Sequence, residues 1–169
     1  LLDGTDREWA AAQEFSAAAG AVLALPDWTS GKIRGYLFGL GGADDALNPL
    51  ILGHLARKTN TDIPLYIENP DAVGEDWLAL GAIAFGLGAY KFDRYQAKVT
   101  GHEARLALPE GAVLEEARRT VAACCLARDM INIPAADMAP SALAAAVEQV
   151  AEKYAATCWV IEGSTLEEE

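Results

Sequence analysis

The chain has 169 residues, of which 52% are hydrophobic and 22% charged, and its formal net charge is −12. This length and composition are typical of one folded domain with a single core, and they exclude a disordered chain. The acidic balance argues against nucleic acid and against anionic membrane surfaces as partners, because both attract basic faces. The most apolar run, Trp77 to Tyr90, is too short to span a bilayer, which takes about 20 residues.

Predicted helices and strands alternate along the chain, which indicates an α/β fold with a parallel or mixed sheet. The spacing of apolar residues and the positions of Gly and Pro set the bounds of these predicted elements. Gly20 is expected to end the first helix. The first two strands are close enough in sequence to form an antiparallel hairpin. The predicted helices are 6–19, 48–58 and 75–90, and the predicted strands are 21–25, 33–38, 63–67 and 106–108.

A glycine-rich loop, Gly39 to Asp45, lies between a predicted strand and a predicted helix. Such a loop can hold a phosphate on its backbone N–H groups. Neither a G-x-G-x-x-G motif nor a P-loop Lys-Ser/Thr is present, and Asp44 and Asp45 would repel a phosphate. We therefore favour a plain strand-to-helix turn over an anion site.

The residues that could carry chemistry are few. The histidines are His54, expected to be half-buried in a helix, and His102, expected in a solvated loop. Cys124, Cys125 and Cys158 form no C-x-x-C motif, and free thiols in a reducing cytoplasm explain them.

Neighbouring carboxylates also fail to make a metal site. Adjacent helical positions point apart, so the pairs at 44–45, 115–116 and 167–169 cannot share one metal ion. No H-E-x-x-H motif occurs. We predict no catalytic, cofactor-binding or metal-binding residue in this chain.

A long helix and a proline-bounded elbow follow. The run 113–131 has no Gly or Pro, and one helix face is formed by Leu114, Ala117, Val121 and Cys124. Pro134 stops this helix, and Pro140 suits the first position of the next one. An ordinary helix-loop-helix and a joint between structural units both fit this pattern.

The end of the chain contains a helix start with little sequence after it. An amphipathic helix is predicted over 141–154 and a last strand over Thr157–Ile161. Ser164-Thr165-Leu166-Glu167 then has the Ser/Thr-x-x-Glu pattern of a capping box. At the other end, Leu1-Leu2 resembles the end of a strand, and no signal peptide is recognisable. We expect a chain cut at its C-terminus and trimmed at its N-terminus.

Two stretches resemble the N-terminal domain of the leucyl (cytosol) aminopeptidase family. The first is 80–95, which is similar to the family's Leu-Gly-Ala-Tyr-Arg-Phe-x-Arg-Tyr region. The second is the elbow, where Ala136 and Ala139 stand in place of the family's usual Asn and Thr. The matching elbow residues are Arg128, Asn132, Pro134, Ala135 and Pro140.

The resemblance implies a three-layer α/β fold with a mixed, mostly parallel sheet flanked by helices, similar to macrodomains. It divides the chain into an N-terminal α/β domain, 1–131, and an elbow, helix and strand, 132–169, leading toward a catalytic domain. In the family that domain holds two divalent metals, zinc or manganese, and its Asn-Thr-Asp-Ala-Glu-Gly-Arg motif is not found in this sequence. No cofactor is therefore expected in this chain.

By resemblance the parent is a cytoplasmic hexamer that releases N-terminal amino acids from peptides. This chain would serve assembly and access to the active sites, with its own C-terminal catalytic domain as partner. One alternative is a free-standing macrodomain-like module that binds a nucleotide or ADP-ribose through the Gly39–Asp45 loop. Another is a dimeric scaffold in which the Trp77–Tyr90 segment is an interface.

Overall fold

The computed structural model describes residues 2–42, 47–59, 64–68, 73–97, 104–108 and 111–167. Short 3₁₀ turns cover Pro49–Ile51 and Gly163–Glu167. The strands are β1 (Val22–Pro26), β2 (Ile33–Phe38), β3 (Leu65–Tyr66) and β4 (Leu106–Ala107). The helices are α1 (Gly4–Ala12), α2 (Leu52–Lys58), α3 (Glu75–Ala89), α4 (Ala112–Asn132) and α5 (Pro140–Lys153).

The strands form two small sheets. β1 and β2 pair antiparallel, with Leu23 opposite Leu37, which confirms the predicted hairpin. β3 and β4 pair in parallel, with Leu65 opposite Leu106. The α/β class is confirmed, but the described strands make two two-stranded sheets and not one continuous sheet. The macrodomain-like arrangement stays a prediction.

The first helix is shorter than its sequence predicts. α1 ends at Ala12, and Glu14 and Ala17 have φ values of 52° and 54°. Residues in this left-handed region cannot continue a right-handed helix. The expected termination at Gly20 is therefore wrong.

The core lies where α2 and α3 cross. Leu52, Leu55 and Phe85 are among its buried residues, and Trp77 packs against them. The two helices approach closely at their glycines, since a Cβ atom on Gly88 would lie 2.3 Å from the Gly53 carbonyl oxygen. These contacts make α3 a core helix, as predicted.

The long helix and the elbow follow their prediction. Ala117 on α4 is 4% exposed, and Val121 fills the space beside Gly86 of α3. α4 ends at Asn132, shortly before Pro134, and α5 begins at Pro140 as its first residue. Proline sets both bounds because it lacks an N–H and fixes φ.

The chain divides into two compact units, Leu1–Cys125 and Leu126–Glu169. All the buried hydrophobic residues among those described belong to the first unit. In the second, residues 156–162 form neither a helix nor a paired strand, so the predicted strand Thr157–Ile161 has no partner among the described residues. The expected division at 131/132 stays a prediction. None of the described helices is long and apolar enough to cross a membrane.

Candidate functional site

The glycine-rich loop is bound to the segment that precedes β1. Gly20 N–H donates to the Gly39 carbonyl oxygen at 2.9 Å, and Gly39 N–H donates to the Ala21 carbonyl oxygen at 2.8 Å. Gly41 N–H donates to the Ala17 carbonyl oxygen at 3.1 Å. Two amides that a phosphate cradle would use are therefore already engaged. The rest of the predicted loop, residues 43–45, lies outside the described residues.

The two histidines are not brought together. His54 lies on α2 and is exposed, which corrects the half-buried position that its sequence suggested. Its ring lies against Gly20, where a Cβ atom would be 2.7 Å from Nδ1. His102 lies outside the described residues. The contact with Gly20 gives His54 a packing role on α2.

The cysteines lie partly buried, and the adjacent glutamates of α4 are each paired with an arginine. Cys124, Cys125 and Cys158 are partly buried, and none of the three forms a disulfide. The Glu115 carboxylate accepts a hydrogen bond from Arg118 at 2.8 Å, one turn along α4. Glu116 pairs in the same way with Arg119. Each carboxylate of this adjacent pair thus has its own arginine.

The most developed polar cluster joins α1 to the hairpin. Asp6, 2% exposed, forms an ion pair with Arg34 of β2. Asp3 caps α1 by accepting from the Asp6 N–H at 2.8 Å, and the Asp6 carboxylate accepts from the Asp3 N–H in return. Trp9 Nε1–H donates to the Ala24 carbonyl oxygen of β1 at 3.0 Å. The cluster fixes α1 to both strands.

Within this cluster, Asp6 and Arg34 stabilise each other's charged form. The hydrogen bond from Arg34 lowers the pKa of the Asp6 carboxyl below its ordinary value of 3.8. The same contact raises the pKa of Arg34. Both groups thus stay charged at neutral pH, which suits an attachment and not a general acid or base. Our sequence reasoning missed this cluster, although Asp3-x-x-Asp6 before a helix resembles a capping box.

Within the described ranges, no group of three or more His, Cys, Asp or Glu side chains could hold a metal ion. The described residues therefore do not provide a binding site for the two divalent metals that the family resemblance implies.

The described residues form an α/β domain in which helices flank two small sheets. The polar cluster attaches α1 to the hairpin of β1 and β2. Residues 2–109 match the family model of the M17 aminopeptidase N-terminal domain. The chain belongs to this family.

Known relatives agree with this assignment. A probable cytosol aminopeptidase of Clostridium perfringens is 26% identical over an alignment 178 residues long. The alignment covers 92% of this chain and 36% of the relative. The cytosol aminopeptidase of Coxiella burnetii superimposes with a TM-score of 0.84 and 30% identity over 99% of this chain and 35% of its own. The bottromycin maturation enzyme BotP in complex with Mn gives a TM-score of 0.80 and 25% identity, covering 99% and 37% of the two chains. This chain thus spans about a third of the length of these relatives.

Proposed function

We propose that this chain is the non-catalytic N-terminal domain of a metal-dependent leucyl aminopeptidase. The observation that carries the proposal is the match to an N-terminal domain family by a chain that spans only 36% of a cytosol aminopeptidase. The hydrolytic groups and the two divalent metals, zinc or manganese, would then belong to sequence that follows this chain. The parent would release N-terminal amino acids from peptides in the cytoplasm.

In this proposal, the function of the domain itself is to assemble a homohexamer and to control access to the active sites. Its construction suits a rigid support, since glycine contacts lock α2 to α3 and the Asp6–Arg34 pair fastens α1 to the hairpin. A rigid domain can hold neighbouring subunits at fixed positions. Within this proposal, the division at 131/132 marks where the support ends and the connection to the catalytic domain begins.

The first experiment is to measure the mass of the native polypeptide in the source cells with an antibody against this chain. The proposal predicts a species much heavier than 17.9 kDa. That species, purified with Mn²⁺, is expected to release leucine from leucine p-nitroanilide, and the 169-residue chain is expected to release none. A native species of 17.9 kDa would overturn the proposal.

The rival function, ADP-ribose or nucleotide binding, has less support because the amides of Gly39 and Gly41 already donate within the domain. Calorimetric titration of the 169-residue chain with ADP-ribose tests it directly. We expect no heat of binding above dilution. Micromolar affinity would decide in favour of the rival.

The assembly role has a separate test. Light scattering of the full-length enzyme is expected to give the mass of six copies. Removal of residues 1–131 is expected to lower that mass or to change the ratio of activity on long and short peptides. If neither the mass nor the ratio changes, the domain has no part in assembly or access.

A further inference from the structure

We draw no further inference here: the strongest candidate, the apolar surface patch where the 3₁₀ turn Pro49–Ile51 contacts α3 and where Leu50 and Leu80 are 61% and 50% exposed, carries none because nothing in the part of the chain that the structure describes shows what covers it.

Discussion

Gly39 lies where two backbone segments meet without room for a side chain. A Cβ atom there would be 2.1 Å from the Ala18 carbonyl oxygen, well inside van der Waals contact. Because the obstacle is backbone, the loop must move before a methyl group fits. This contact, together with the hydrogen bonds to Gly20 and Ala21, holds the beginning of β1 against the end of β2.

Gly39→Ala is therefore expected to destabilise the chain by about 2 kcal/mol. Urea unfolding followed by circular dichroism measures the change. Gly35→Ala on β2 is the control, since a Cβ atom there meets nothing within 4 Å. We expect it to change stability by less than about 0.5 kcal/mol. Equal effects at the two positions would show that the close approach at Gly39 does not matter.

The Asp6–Arg34 pair makes stability depend on pH in a known direction. The folded-state pKa of Asp6 lies below its ordinary value of 3.8, so the unfolded chain binds the proton more readily. The stabilisation is thus complete above about pH 3.8 and is lost as pH falls through the lower folded pKa. Asp6→Asn is expected to lower the thermal midpoint at pH 7, and the difference from the unsubstituted chain should shrink only as the pH falls below about 3.8.

Thermal scans from pH 2 to pH 7 measure this difference. In a double-mutant cycle, Arg34→Gln should remove most of the effect of Asp6→Asn at pH 7, because the partner is gone. A difference of the same size at every pH would mean that the Asp6 charge does not stabilise the fold.

At the scale of elements, α3 has two sides with different roles. Phe85 is 3% exposed in the core cluster, whereas Leu80 on the same helix is 50% exposed. Gly81 and Gly88 let α2 approach on the buried side. This asymmetry supports a core helix over the alternative in which the whole segment is a dimer interface.

Phe85→Ala is expected to destabilise the chain by about 3–5 kcal/mol, because it leaves a cavity in the core. Leu80→Ala, on the same helix, is expected to cost less than about 1 kcal/mol. Urea unfolding measures both, and light scattering checks the mass of each variant. A large loss at Leu80 together with a halved mass would favour the dimeric scaffold.

At the scale of the whole molecule, the described residues assemble no metal cluster, and the proposed function assigns the metals to the following domain. Excess EDTA is therefore expected to shift the thermal midpoint of the 169-residue chain by less than about 1 °C, since a ligand stabilises only the state that binds it. The full-length enzyme is expected to lose its peptidase activity in the same buffer. A fall of several degrees in the short chain would reveal a metal site within it.

The sequence by itself determined the elements whose signals are local. Pro134 and Pro140 set the end of α4 and the beginning of α5 because proline restricts the backbone wherever it occurs. The 21-residue length of α4 follows from an uninterrupted run of helix formers, and the family follows from short motifs at fixed positions.

Only the tertiary structure decided the contacts between segments distant in sequence. The run 6–19 contains good helix formers, yet Glu14 and Ala17 turn left-handed where the chain enters β1. Neither the Asp6–Arg34 pair, 28 residues apart, nor the engagement of the Gly39 and Gly41 amides has a periodic signal in the sequence. Strand pairing likewise depends on which segments meet in the folded chain. The local pattern of a strand does not specify its partner, so the sequence could not show that the described strands form two small sheets and not one.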